Sequence, residues 1–251
     1  MKSILTVTEL VKTYDGKNVV DGISFQVETG EIFGILGPNG AGKTTTLEMI
    51  ETMREIDGGS IIIDGLDVAK DPNKVKQIIG VQPQSPAFQD KQKAGEIIEQ
   101  FAAAYGERVD VRRFLDDVQL GEKINSNAES LSGGQKQRLS IAAALVHSPK
   151  VFFLDEPTTG LDPQARRNLW DLIRQVRDRG VTVIMTTHYL DEAELLCDRV
   201  AIMDNGKIIA LDTPRNLIKQ LLKRGFTKKQ QVEQANLDDV FIDLTGKGLR
   251  D

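Results

Sequence analysis

The chain has 251 residues, 40% of them hydrophobic, which is ample for a substantial core in one domain or two lobes and excludes a small folded remnant. A formal net charge of -5 lacks the basic excess that nucleic-acid binding normally shows, so no nucleic-acid partner is expected. The single cysteine, Cys197, rules out an intrachain disulfide, sits in no metal or redox spacing and fits a reducing cytosol.

The start, Met1 to Val11, sets Lys2, Thr6 and Glu9 among its apolar residues and has neither the basic region nor the apolar run of a signal peptide. The longest apolar stretches, such as Val151 to Leu154 and Val181 to Met185, fall far short of the ~18 residues that suggest a membrane span. The expectation is a chain that stays inside the cell and needs a partner for any role at a membrane.

From Leu5 to Ile63 short runs rich in Ile, Val and Phe predict strands, separated by turn signals at Asp15-Gly16, Asp21-Gly22, Thr29-Gly30 and Gly58-Gly59. The run Glu31 to Leu36 reads as the most buried of them. A glycine-rich loop follows it, then a helix from Lys43 to Arg54 with Leu47, Ile50 and Met53 at helical spacing. Between Gln89 and Ser148 the strand signals vanish. Ile97, Ile98 and Phe101, then Phe114, Leu115 and Val118, then Leu139, Ala142 and Leu145 each predict an apolar helix face, which makes an inserted helical lobe.

After Pro149 the pattern alternates: strand Val151 to Leu154, helix Gln164 to Arg179, strand Val181 to Thr186 and helix Asp191 to Cys197. This is the signature of a parallel α/β sheet. Val200 to Leu211, with Asn205-Gly206 at its centre, reads as a closing hairpin. Thr213-Pro214 starts a helix, and Asn236 caps a second short one through Leu244. The lysine-rich stretch Lys219 to Lys229 reads as a solvated helix end.

Gly37-Pro38-Asn39-Gly40-Ala41-Gly42-Lys43-Thr44 matches the phosphate-loop pattern completely and lies between a buried strand and a helix, as that chemistry requires. Glycines let backbone N–H groups converge on phosphates, the helix start adds its dipole, Lys43 places a cation on the outer phosphates, and Thr44 offers its hydroxyl to magnesium. Thr45 follows in the same helical turn.

Phe152-Phe153-Leu154-Asp155-Glu156 is an apolar strand ending in two carboxylates at the sheet edge where α/β proteins bind ligands. Neighbours on a strand point to opposite sides, so their roles differ. Asp155 is placed to hold Mg²⁺ directly or through water, and Glu156 to orient and deprotonate the water that attacks a γ-phosphate. Alone, such a pair is more often a solvated turn or cap; the phosphate loop upstream reverses that reading. His188 follows a strand of similar pattern, where a lone histidine is usually structural and periodicity alone does not promote it.

Leu131-Ser132-Gly133-Gly134-Gln135-Lys136-Gln137-Arg138 opens a helix with a serine and two glycines, a second anion-binding terminus. With the phosphate loop and Asp155-Glu156, it resembles the signature motif of ATP-binding cassette ATPases, the motor subunits of ABC transporters. The resemblance covers nearly the whole chain, and the order and spacing of the motifs make it specific. It implies a P-loop NTPase core with a parallel sheet, an N-terminal antiparallel β subdomain and an inserted helical subdomain. The core with its β subdomain would occupy residues 1–84 and 149–212, the helical subdomain 85–148, and a C-terminal helical extension 213–251.

In that family two cassettes pair head to tail, so that ATP on one phosphate loop is covered by the signature serine and glycine of the other. The resemblance therefore implies ATP and Mg²⁺ as ligands. It also implies a second copy or a homologous subunit as one partner, an integral membrane permease as another, and a place at the cytoplasmic face of the membrane. Tyr14 matches the aromatic residue that stacks on adenine. Gln84 matches the glutamine that senses magnesium and the attacking water, with Gln82 two residues before it. Glu156 matches the catalytic base, Asp162 the loop that crosses the dimer interface, and His188 the switch histidine at the γ-phosphate.

Ser85 to Glu96 corresponds to the surface that meets a permease, and Phe88-Gln89-Asp90-Lys91-Gln92-Lys93 departs from the Leu-Thr-Val-type stretch usual there. Asp239 to Gly246 resembles the tail of the bacterial drug and antibiotic exporter branch. Two competing classes are a soluble regulatory cassette ATPase and a phosphate-loop kinase. The first usually carries paired cassettes or a long coiled-coil insertion, absent here, and the second leaves the signature segment and His188 without a role.

Overall fold

The computed structural model describes residues 2–83, 88 and 91–226. Strands β1 (Ser3–Tyr14) and β2 (Lys17–Glu28) form an antiparallel hairpin closed by Asp15-Gly16, both at positive φ (48 and 74) as a two-residue primed turn requires. Strand β3 (Ile32–Leu36) leads through the phosphate loop into helix α1 (Lys43–Ile50). Strands β4 (Gly58–Ile63) and β5 (Leu66–Asp67) follow, then helix α2 (Pro72–Ile78) and strand β6 (Ile79–Gln82). Three helices come next: α3 (Ala94–Ala104), α4 (Val111–Asp117) and α5 (Gly133–Leu145). The chain then runs β7 (Val151–Asp155), α6 (Pro163–Asp178), β8 (Thr182–Thr187) and α7 (Leu190–Leu196). A hairpin of β9 (Arg199–Asp204) and β10 (Lys207–Asp212) and helix α8 (Pro214–Lys223) complete the described elements.

The strands form two sheets, an antiparallel one in the order β2-β1-β4-β5 and a mixed one in the order β10-β9-β3-β8-β7-β6. In the second sheet every pairing is parallel except that of β10 with β9. This is the α/β architecture of a P-loop nucleotide-binding core. Both faces of the large sheet are covered, which is why β3 and β7 read as unbroken apolar runs. The period of two then sorts their side chains. Ile32, Leu36, Phe152 and Leu154 pack into one core with α3, α5 and α6, and Phe33, Ile35, Val151 and Phe153 into another with α1 and the antiparallel sheet. The parallel strands therefore end at one common edge, with the phosphate loop and Asp155-Glu156 side by side on it.

The chain divides after Leu217 into a first unit and a short second one from Ile218, whose described part is the rest of α8 and a turn through Phe226. The first turn of α8 starts as its sequence predicts, with the Thr213 hydroxyl accepting from the Asn216 N–H at 3.1 Å. The expected helix from Asn236 and the tail Asp239 to Gly246 lie outside the described residues.

Three expectations change. Helix α1 stops at Ile50, not Arg54, because the chain turns at Thr52 (φ 64), and Met53 is 71% exposed instead of packed. Phe101 lies on the outer side of α3, exposed, while Ile97 and Ile98 carry the buried face. Asp21-Gly22 and Gly58-Gly59 are not turns but irregularities within β2 and β4, where β1 shifts register. Gly59 is required there: at φ 83, a Cβ would stand 2.3 Å from the Glu9 carbonyl oxygen. Helix α2, too short for a clear apolar period, was not legible.

Candidate functional site

The phosphate loop is built by crowding. A Cβ on Gly37 would lie 2.3 Å from the Met203 carbonyl oxygen, and one on Gly42, at φ 100, would lie 2.6 Å from that of Val19. The β9–β10 turn braces the loop through the Gly206 N–H, which donates to the Ala41 carbonyl at 3.1 Å. The first intrahelical bond of α1 runs from Thr46 N–H to Gly42 O at 2.9 Å, so the N–H groups of Lys43, Thr44 and Thr45 precede the helical ladder. They converge with the helix dipole on a cavity of about 340 Å³ lined by Val19, Asn39, Gly40, Gly42, Lys43, Thr44, Thr45 and Glu156.

Lys43 is buried, and its ammonium donates to the carbonyls of Gly37 (2.9 Å) and Pro38 (3.3 Å). It also lies 3.5 Å from Glu156 Oε1. Glu156 stands at φ 45, an uncommon region for a residue with a side chain, held by its N–H donating to the hydroxyl (3.0 Å) and carbonyl (3.2 Å) of Thr186. Its other carboxylate oxygen meets His188 Nδ1 at 3.1 Å and accepts from the Thr159 hydroxyl at 3.3 Å. Asp155 is buried at the end of β7; its Oδ1 accepts from the Thr186 hydroxyl and from that of Thr44 at 3.4 Å.

The structure thus gathers Asn39, Gly40, Gly42, Lys43, Thr44, Thr45 and Glu156 around one cavity, with Asp155 joined to it through Thr44 and His188 through Glu156. Other motif residues do not line it. Tyr14, at the end of β1, hydrogen-bonds through its hydroxyl with Arg54, whose guanidinium lies 5.5 Å from the ring centre, and Lys12 Nζ lies 5.6 Å from it. Ser132 caps α5, accepting from Gln135 N–H at 3.3 Å while Gln135 Oε1 accepts from Ser132 N–H at 3.0 Å. Ser132 and Gly133 are exposed. Asp162 caps α6, accepting from the N–H groups of Gln164 and Ala165, both at 2.9 Å. Gln84 lies outside the described residues.

Sequence reasoning missed Val19, Thr186 and Thr159, which reach the site only through strand register and loop geometry. It also missed Glu51, buried just past α1. Burial first, then the charges of Asp155 and Glu48, push its carboxyl up to about 8. A larger cavity, about 500 Å³, lies at the opposite ends of β7 and β8, lined by Ile4, Phe114, Leu172, Val176, Lys150 and Val181 among others. It holds none of the motif residues, so chemistry and not size marks the site.

A phosphate loop set between a buried strand and a helix, with an acidic strand end beside it, defines a nucleotide-binding P-loop protein. Residues 20–159 match the ABC transporter family model, and the chain belongs to that family. It is an ATP-binding, ATP-hydrolysing subunit. It is 40% identical over 244 residues to the linearmycin resistance ATP-binding protein LnrL of Bacillus subtilis, covering 95% of this chain and 78% of that one. Against the Nod factor export ATP-binding protein I of Burkholderia pseudomallei it is 44% identical over 216 residues, 84% of this chain and 71% of the relative. A solved ATP-binding subunit of an ABC transporter superposes with a TM-score of 0.79 at 29% identity, over 96% of this chain and 99% of that one. Among the described residues, no helix is long and apolar enough to cross a membrane.

Proposed function

We propose that this chain is the motor of an exporter for a drug, antibiotic or lipid-like compound, working at the cytoplasmic face of the membrane on a separate integral permease. The Nod factor relative is named for export, and the linearmycin relative for resistance. One observation carries the motor reading: the phosphate cavity is preformed in a single chain, whereas the signature start, Ser132 to Gln135, and Asp162 do not line it. A second subunit, identical or homologous, would bring those residues over the nucleotide. Residues 1–84 and 149–212 would then act as the catalytic core, 85–148 as the helical lobe that meets the permease, and 213–251 as an extension.

Phosphate in the cavity offers Lys43 anionic oxygens in exchange for the carbonyls of Gly37 and Pro38, which stabilises charge at the outer phosphates. Glu156, held by His188 and Thr159, aligns and deprotonates the attacking water, and His188 contacts the γ-phosphate. Tyr14 would stack on adenine once released from Arg54. The donors fit Mg²⁺: Thr44 and Asp155 are hard oxygen ligands 3.4 Å apart, with Gln84 a third by resemblance. Among the described residues no group of three His, Cys, Asp or Glu side chains could hold a metal ion, so such an ion would take its other ligands from water and phosphate, as Mg²⁺ commonly does. When bound it neutralises charge on the β- and γ-phosphates. Hydrolysis removes the contacts that bridge the two subunits, so closure and opening follow ATP turnover.

The test is to tag the chain in its own cell, solubilise membranes in mild detergent and identify what co-purifies. A stoichiometric polytopic membrane protein is expected. A chain found only with cytosolic partners would favour a soluble regulatory ATPase.

A further inference from the structure

Directly behind the site lies a carboxyl that none of the motifs uses. Glu192, on α7, is fully buried, and its Oε1 accepts from the indole N–H of Trp170 on α6 at 2.9 Å. Its Oε2 has no hydrogen-bond partner. Of the other buried polar atoms that share that condition, two stand beside it: the hydroxyl of Thr158, between β7 and α6, and Nε of Arg166 on α6. All three belong to one neighbourhood: the hydroxyls of Thr187 and Thr158 lie near enough for weak hydrogen bonding that, with Trp170 and the charge of Arg166, acts to lower the Glu192 pKa, although the Thr158 hydroxyl completes no full hydrogen bond. Burial still outweighs them and holds that carboxyl above the ordinary glutamate range.

Unpartnered buried polar atoms cost stability, and three around one carboxyl mark an arrangement that a small shift would satisfy. The two loops that border this carboxyl are the ones that carry the chemistry. Thr187 accepts from the Tyr189 N–H at 3.0 Å, the Tyr189 ring packs tilted against His188 with centroids 4.1 Å apart, and the Arg166 guanidinium covers Tyr189 at 4.4 Å. Thr158 stands two residues after Glu156, and its carbonyl accepts from the Leu161 N–H at 3.1 Å, beside Asp162. The Pro157 carbonyl accepts from Gln137 on α5 at 2.8 Å, so the same loop is fastened to the signature helix.

We propose that Glu192 is a positioning residue that locks the segment around His188 (residues 187–191) to the interface loop (157–162), so that the γ-phosphate contact and the intersubunit contact move as one piece. This rests on the reading of His188 as the γ-phosphate contact. In the locked state Oε2 pairs with the Thr158 hydroxyl, and the site responds to nucleotide on both loops together.

The test is a set of steady-state ATPase measurements on the full chain, corrected for folded fraction by thermal melts. Glu192→Ala is expected to lower kcat about 10-fold while changing the KM for ATP less than about 3-fold, and Glu192→Gln, which keeps a donor and an acceptor, to restore most of the loss. In a His188→Ala background, Glu192→Ala should cost less than about 2-fold further, because the two act as a unit. An equal cost in both backgrounds overturns the proposal. Thr158→Val decides the matter if Glu192→Ala does not fold: removing a hydroxyl that completes no full hydrogen bond should cost little stability, and the proposal requires kcat to fall even so. Unchanged kcat in that variant overturns it. His188→Ala with full turnover would instead overturn the reading of the site on which the proposal stands.

Discussion

Helices α1 and α5 both begin at glycines, yet their starts answer different demands. At α1 the glycines are required by the chain itself: Gly37 and Gly42 leave no room for a Cβ against neighbouring carbonyls, and Lys43 is buried. At α5 the serine is exposed and capped by its own Gln135, and a Cβ on Gly133 would meet only Leu161 Cδ2, at 4.0 Å. Nothing in this subunit needs Gly133 to lack a side chain. The first start is a finished half-site; the second is shaped for something that approaches from outside, which is the physical content of the two-subunit reading.

The largest effect should come from the finished half. Glu156→Gln removes the base but not the fold, and turnover is expected to fall about 10²–10⁴-fold, read as phosphate released per folded chain. Lys43→Ala should lower kcat/KM by about 10²–10³-fold and weaken nucleotide binding to the single subunit, measured by fluorescence titration. Near the same loop, Glu51 carries a raised pKa, about 8 against an ordinary 4.5, so the fold keeps a proton that the unfolded chain has released. Stability should therefore fall as pH rises from about 4.5 to 8 and level off above. Glu51→Gln removes that loss: denaturant titrations should show no gain at pH 4 and roughly 2–4 kcal/mol at pH 9.

The outward-facing start should behave in the opposite way. Ser132→Ala is expected to cut turnover about 10-fold, with nucleotide binding to the single subunit changed less than about 2-fold. Gly133→Ala should leave stability unchanged or raise it by about 0.5–1 kcal/mol while turnover falls. Equal loss of single-subunit binding in Lys43→Ala and Ser132→Ala would erase the distinction between the two helix starts.

The site was legible where chemistry is local in sequence. The phosphate loop and the acidic strand end each announce themselves by residue type and spacing, and the alternation after Pro149 gives the parallel sheet. Contacts made across strands left no such trace. Thr186 reaches Asp155 and Glu156 only because β8 pairs in register with β7, and Val19 meets the cavity only because β2 folds over the loop. Helix ends were misread where a non-glycine residue takes positive φ, as Thr52 does, since composition does not mark such a turn. Glu192 was invisible for a related reason: its meaning lies in the unsatisfied groups that the loop after β7 and helix α6 bring beside it.

The most direct test of the two-subunit site is the mass of Glu156→Gln in solution, measured by light scattering with and without saturating Mg-ATP. Hydrolysis is blocked in this variant, so nucleotide should hold two chains together and double the mass, and adding Ser132→Arg should abolish the change. A Glu156→Gln chain that binds ATP and keeps the mass of one chain would contradict the composite site.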